Sequence, residues 1–337
     1  MASTILVVKL AAIGDVVMAL PMLTALREAA PSSRIAWLCG ETVQPLLACV
    51  RGIDELIAID DAGLLAGGAS QQAAVVARTW RVLAGRRFDR VLLAHADARY
   101  RHLIRTLRAG EVRSLEPRGP RSGLLPGRSH ADEYVRLVTG VDDHRARAYA
   151  PPPVDAPLPR DLEERLPSGA PLVALAPGGA RNVARDNPLR RWPVDRYVML
   201  ADHLRAAGCT VLLTGAASDD WVRAPFGGTA TVDLVGRTDL PSLVALYRRC
   251  AAVVTHDSGP LHLAGLAGAP RVALFGPTPP TSFARPEART RVLWPGAALP
   301  CAPCYDGRDF AACDDNVCMQ AIGVDDALRG VLDLLGR

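Results

Sequence analysis

The chain has 337 residues, 49% of them hydrophobic and 22% charged, with a formal net charge of +4. It is long enough for two domains, each with its own core; no apolar run reaches the ~20 residues of a membrane span, and the N-terminus lacks the pattern of a secretory signal. The expected location is therefore the cytoplasm, where eight cysteines argue against a disulfide framework and for free thiols or a metal.

Thr4 to Leu10 reads as an apolar strand, Ala11 to Asp15 as a turn, and Val16 to Ala29 as a helix that Pro21 bends or restarts. Lys9, at the end of that strand, is the only lysine in the chain. Further strands are predicted over Ile35–Cys39, Ile57–Ile59 and Arg90–Ala94, with helices over Val43–Cys49 and Gln71–Leu83. Strands alternating with helices at this spacing predict βαβ units and a parallel sheet. The first turn holds one glycine where a dinucleotide fingerprint needs three, and no Walker A motif occurs. Asp15 follows the carboxyl end of the first strand, where open α/β sheets present functional groups. A helix N-cap is the plainer role for the same residue.

Between Arg99 and Arg128 stand eight arginines against two acids, Glu111 and Glu116, and prolines and glycines break the second half of the stretch into loop. A solvated face fits this pattern, and so does a cationic lip for a phosphorylated acceptor or an anionic membrane surface. Nucleic acid does not fit, because Tyr100 is the only aromatic residue interleaved for base stacking. Residues 150–171 hold seven prolines and no clear strand. They predict a linker, giving domains over 1–150 and 172–322, a linker at 151–171, and a final helix within 323–337 that packs back on the first domain.

The βα rhythm restarts at Val173–Ala176, followed by the turn Pro177-Gly178-Gly179-Ala180. Arg190-Arg191-Trp192-Pro193 opens a helix over Val194–Ala206, Thr210–Thr214 is a strand, and Gly236-Arg237-Thr238 precedes a helix over Leu240–Arg248. Ala251–Val254 reads as a buried parallel strand, Asp257-Ser258-Gly259 as the turn after it, and Leu261–Leu266 as a short helix. Small residues opening a helix at the end of a parallel strand make an anion site, because backbone N–H groups and the helix dipole point at the ligand. Asp257 adds an acceptor for hydroxyls, so the ligand expected is a sugar attached to a phosphate. Ser258 as a simple N-cap is the plainer alternative.

Two stretches carry a family resemblance: Lys9-Leu10-Ala11-Ala12-Ile13-Gly14-Asp15, a K-x-x-x-x-G-D pattern, and D-S-G-P-L-H-L-A from Asp257 followed by V-A-L-F-G-P-T to Thr278. Together with Pro177–Pro193 and Gly236–Thr238, in the same order, they resemble glycosyltransferase family 9, the heptosyltransferases of lipopolysaccharide core synthesis. The resemblance implies the GT-B architecture, two Rossmann-like parallel-sheet domains facing a central cleft, the first for the acceptor and the second for the nucleotide sugar. It implies an inverting, metal-independent transfer of a heptose or related sugar from an ADP-sugar to a glycan or lipid-linked acceptor, with no catalytic cofactor. Asp15 would be the base, and Lys9, Arg99 and Arg101 the acceptor side. Gly178, Gly179, Arg190, Gly236, Thr238, Asp257, Ser258, Gly259 and His262 would form the donor site. The sequence has no Asp-x-Asp to hold a metal against the diphosphate, so protein donors must stabilise the leaving group. Arg190 stands where the family has the lysine of K-x-W-P, which leaves open whether Arg190 or Arg191 makes the contact. A nucleotide-sugar epimerase on the same fold and a non-catalytic nucleotide-sugar-binding protein remain alternatives, and the oligomeric state is not legible.

Cys301, Cys304, Cys313 and Cys318 have the spacing C-x₂-C-x₈-C-x₄-C, which predicts a structural zinc or iron site, with a loop of reduced thiols as the alternative.

Overall fold

A computed structural model describes residues 3–97, 99–115, 128–140, 148–182, 185–284, 287–307 and 309–337. The second half of the arginine-rich stretch, 116–127, lies outside the described residues. The chain divides into two compact units, Met1–Asp155 and Ala156–Arg337.

The first unit is a five-stranded parallel sheet of β1 (Thr4–Val8), β2 (Arg34–Gly40), β3 (Glu55–Ile59), β4 (Arg87–Leu93) and β5 (Arg108–Ser114), in the order β3-β2-β1-β4-β5. β1 is central and pairs Val8 with Leu38 on one side and Leu93 on the other. Its residues Leu6, Val7 and Val8 are fully buried, as a strand covered by helices on both faces must be. Pro21 restarts the chain as expected: one helix runs Ile13–Ala19 and a second Pro21–Ala29.

β5 was not legible as a strand. Its sequence, Arg-Ala-Gly-Glu-Val-Arg-Ser, pairs with β4 alone and is mostly exposed. An edge strand lined with charge needs no apolar face and is protected from pairing with other chains.

The second unit holds β6 (Leu172–Ala176), β7 (Thr210–Leu213), β8 (Val232–Asp233), β9 (Ala252–His256), β10 (Arg271–Leu274) and β11 (Thr290–Leu293), all parallel, in the order β11-β10-β9-β6-β7-β8. Counted from β6 this is the 3-2-1-4-5-6 order of a doubly wound sheet. The final helix, Val324–Leu334, packs on the helix Val194–Ala206 and on β9, β10 and β11, burying Ala327 and Val331. Among the described residues no helix is long and apolar enough to cross a membrane.

Both sheets therefore reverse their winding direction once. In the first unit the reversal lies between β1 and β4, in the second between β6 and β9. Open α/β sheets bind ligands at that point, outside the carboxyl ends of the strands. Asp15 follows β1, and Gly178 and Asp257 follow β6 and β9.

Candidate active site

In the first unit, Asp15 occupies the first turn of the helix Ile13–Ala19, whose N-cap position is taken by Ala12. Asp15 is thus not the cap. Its Oδ2 lies 3.4 Å from Lys9 Nζ and its Oδ1 3.9 Å from His130 Nδ1. Lys9 is buried, its ammonium 5.0 Å above the Tyr134 ring, and Trp37 Nε1 donates to the Lys9 carbonyl at 3.0 Å. Burial pushes the Lys9 pKa down, against the pull of Asp15. Burial would raise the Asp15 pKa, but Lys9 and then His130 outweigh it and hold the carboxyl well below the usual range.

His95 completes this corner from the end of β4. The Leu10 amide donates to His95 Nε2 at 3.0 Å, and the ring stacks on Tyr100 at 3.6 Å. Burial first, and then the Lys9 charge, keep His95 neutral, so its proton sits on Nδ1. Arg99 and Arg101 lie on the helix Arg99–Leu103, both exposed; Arg99 pairs with Asp97, and Arg101 donates to Ser114 Oγ at 2.6 Å.

In the second unit, the turns after β6 and β9 meet. Gly179 and Ala180 are both left-handed, at φ +79° and +53°, and a Cβ on Gly179 would stand 3.4 Å from Ser258 Cβ. The Gly179 and Ala216 amides donate to the two oxygens of Asp219, at 3.0 and 2.9 Å. A Cβ on Gly178 would come within 2.3 Å of Asp219 Cγ. Gly178→Ala should therefore lower stability by about 1–3 kcal/mol, as overpacking does, measured as a fall in the midpoint of denaturant unfolding with the m-value unchanged.

Asp257, at 1% exposure, is the centre of the second group. Its Oδ2 pairs with Arg190 Nη2 at 3.0 Å and accepts from Thr278 Oγ1 at 2.7 Å. Its Oδ1 is 3.9 Å from His262 Nε2. Asp257 Oδ1 and Arg190 Nε are buried atoms without a hydrogen-bond partner, one an acceptor and the other a donor. The helix Gly259–Leu266 begins beside them. Ser258 stands at its N-cap position but does not cap it: the hydroxyl donates to the His256 carbonyl at 3.1 Å.

The two arginines differ in their partners. Arg190 reaches Asp257, whereas Arg191 donates to Gly179 O at 3.0 Å, pairs with Asp186 and stacks on Trp221. Trp192 anchors both, buried edge-on against Tyr197 with Nε1 donating to Ile322 O at 3.1 Å. Tyr197 in turn bonds His256 Nδ1 at 3.3 Å, and burial, then Arg190 and Arg191, hold His256 down to about 3. Gly236, at φ +69°, and the half-buried Thr238 follow β8, two strands away from β6, so they belong to a separate part of the same carboxyl rim.

The structure gives no support for the expected zinc or iron site. Among the described residues no three His, Cys, Asp or Glu side chains are gathered to hold an ion. Cys304 and Tyr305 donate their amides to Pro277 O, which pins the loop to the turn after β10. Cys318 is buried against that turn, while Cys301 and Cys313 are exposed. Cys313 Sγ accepts from the Asn316 amide, and the Cys318 thiol donates to Asn316 Oδ1. Burial pushes the Cys304 and Cys318 thiols up, toward the protonated form.

The family model described as Glycosyltransferase family 9 (heptosyltransferase) matches residues 140–312, just over half of the chain. The chain belongs to glycosyltransferase family 9. A curated relative, lipooligosaccharide heptosyltransferase 2 of Haemophilus influenzae, is 37% identical over 117 residues, 33% of this chain and 32% of that one. The chain thus aligns with about a third of that relative's length. Two solved structures share the fold over nearly all of both chains. The family 9 glycosyl transferase of Veillonella parvula has a TM-score of 0.75 at 22% identity, covering 99% of this chain and 97% of that one. The ADP-heptose lps heptosyltransferase II of E. coli has a TM-score of 0.71 at 20% identity, covering 98% of each. Two parallel-sheet α/β units are the GT-B arrangement expected from the family.

Sequence reasoning missed His95, His130, Asp219 and Thr278. His95 carried a usable signal, since it follows β4 as Asp15 follows β1. Thr278 closes the second motif but was not singled out. Nothing local joined His130 to Asp15 or Asp219 to Gly179.

Proposed function

We propose that this family 9 protein is an inverting glycosyltransferase that moves a heptose or related sugar from an ADP-sugar to a hydroxyl of a lipopolysaccharide-core or other glycan acceptor. In this reading the second unit takes the donor. Arg190 and the N-terminal end of the helix Gly259–Leu266 stabilise the charge that develops on the departing diphosphate, and Gly178 and Gly179 let the backbone approach it. Asp257 accepts from a sugar hydroxyl, His262 stands beside it, and Gly236 and Thr238 border the base.

The first unit takes the acceptor, with Lys9, Arg99 and Arg101 on its side. Asp15 accepts the hydroxyl proton as the oxygen attacks the anomeric carbon opposite the diphosphate, which inverts that centre. No metal is required where Arg190 neutralises the leaving group. The protein would work in the cytoplasm, meeting a lipid-linked acceptor at the inner-membrane surface.

The observation that carries this reading is the Asp257–Arg190 pair at the β6/β9 reversal, where a buried donor and a buried acceptor both lack protein partners. A ligand bearing phosphate oxygens and hydroxyls can satisfy both. The test is a thermal-shift panel of ADP, GDP, UDP and CDP with and without EDTA. ADP at a hundredfold excess over Kd should add about 2.7 kcal/mol of stability, unaffected by EDTA. A preference for UDP or GDP discards the ADP-heptose donor, and no response to any of the four discards the donor site.

A further inference from the structure

Trp37 and Trp192 are fully buried, but Trp221 is left 44% exposed, although covering an indole is among the larger gains open to a folding chain. It lies on the carboxyl rim of the second sheet. After β7 the chain crosses Thr214-Gly215-Ala216 and winds into a tight helix over Ala217–Val222. Val222 is the inward residue, fully buried in the core of the second unit. With about three residues per turn, its neighbour Trp221 is set off that side and toward solvent.

Three contacts join this helix to the turns on either side of it. The Asp219 carboxylate accepts from the Gly179 and Ala216 amides, at 3.0 and 2.9 Å. Gly236, after β8, comes so close that a Cβ on it would stand 3.3 Å from Ala217 Cα. Arg191 lies 5.5 Å from the centre of the Trp221 ring, while its Nε donates to Gly179 O at 3.0 Å. Because β6, β7 and β8 are neighbours in the sheet, their turns form one continuous ledge. The Gly179 turn is at one end of it, and the indole stands on it.

We propose that Trp221 is the base-stacking platform of the donor site: its ring, held on one face by the Arg191 guanidinium, carries the base of a nucleoside diphosphate whose phosphates lie against the Gly179 turn and Arg190. The proposal rests on the reading of the second unit as the donor site and adds the residue that holds the nucleoside end. The turns after β6 and β9, Pro177-Gly178-Gly179-Ala180 and Asp257-Ser258-Gly259, are small or charged. They suit phosphate and hydroxyls but offer no flat apolar surface. An exposed indole does, and every base has a face to lay on it. A cation over an indole is itself a favourable contact, so Arg191 fixes the ring before the nucleotide arrives.

The test is isothermal titration of the full chain with ADP and, separately, with inorganic pyrophosphate, which carries the diphosphate without a base. Trp221→Leu should weaken ADP by about 5- to 150-fold, the ~1–3 kcal/mol of one base stacked on an aromatic ring, and change pyrophosphate by less than about twofold. Trp221→Tyr keeps a flat ring and should hold ADP within about threefold of the wild type. An ADP affinity unchanged in Trp221→Leu overturns the proposal. So does an equal loss of ADP and pyrophosphate, which would make the ring a brace for Arg191, and so does an equal loss of ADP in the Leu and Tyr variants. A wild type that binds neither compound sinks the donor reading itself, and the platform with it.

Discussion

Asp15→Asn should lower kcat by about 10³-fold, within the 10²–10⁴ range that a positioned general base contributes, while ADP stabilises the variant as it does the wild type. The asparagine keeps the shape but cannot take a proton, and it stands in the first unit, whereas the Arg190–Asp257 group belongs to the second. ADP release at saturating ADP-heptose, read beside an ADP thermal shift, separates the two effects. Unchanged turnover would remove Asp15 from the base role. The substitution also has a cost in stability. It leaves Lys9, only 3% exposed, without its carboxylate; breaking a buried pair costs about 3–5 kcal/mol, and because Asp15 is itself about a third exposed the expected loss is about 1–3 kcal/mol. The two groups predict opposite ends of the pH curve. The folded-state pKa of Asp15 is depressed, so its contribution is present above about pH 4 and lost as pH falls through the folded value. The acid side of the melting curve should therefore be shallower in Asp15→Asn. The folded-state pKa of Lys9 is lowered, so its penalty applies below that value and is relieved above it, and the variant should regain stability as pH rises.

Most strands that sequence reasoning recovered are buried on both faces, and the edge strand β3 was recovered through its apolar Ile57–Ile59. Leu6-Val7-Val8 in β1 and Ala252-Val253-Val254 in β9 are apolar throughout because helices cover both sides. β5 and β11 are edge strands with mixed exposure, so their composition carries no such mark. The same division runs through the site. Asp15, Arg190 and Asp257 could be singled out as candidates because each lies in a short motif at a strand end or helix start, where the local chain path fixes the side chain. Their partners were not, because pairing is set by strand order: His130 reaches Asp15 only once its helix packs on the helices 13–19 and 21–29, and Asp219 reaches Gly179 only because β7 lies beside β6. The cysteines are the converse case. Their spacing is local, but it does not fix side-chain direction, and the loop turns Cys301 and Cys313 outward while Cys318 is buried.

Asp257→Ala should be the most damaging substitution in the second unit, and the reason lies in what it leaves behind. Asp257 Oδ2 serves both the Arg190 guanidinium and the Thr278 hydroxyl. Removing it strands a guanidinium that is 20% exposed and a hydroxyl that is 1% exposed. A broken buried pair costs about 3–5 kcal/mol; partial hydration of Arg190 brings the expected loss to about 2–4 kcal/mol. Arg190→Met alone strands the carboxylate and should cost a similar amount. The double variant removes both charges, so it should be more stable than Asp257→Ala, with a coupling energy of about 1–3 kcal/mol in a denaturant-unfolding cycle. Ligand binding should not show that recovery. In the proposed donor site Arg190 would supply charge to the diphosphate and Asp257 would orient the guanidinium, so either single variant should weaken ADP by about 10–100-fold, the 1.4–2.8 kcal/mol of a lost charge-assisted hydrogen bond. The double variant, better folded than Asp257→Ala, should bind ADP no better than either. Arg190→Lys restores the charge without the planar fork, and should recover ADP affinity only in part. If the double variant instead regained ADP affinity together with stability, the pair would be a structural strut, and the diphosphate would have to be held by Arg191 and the helix end alone.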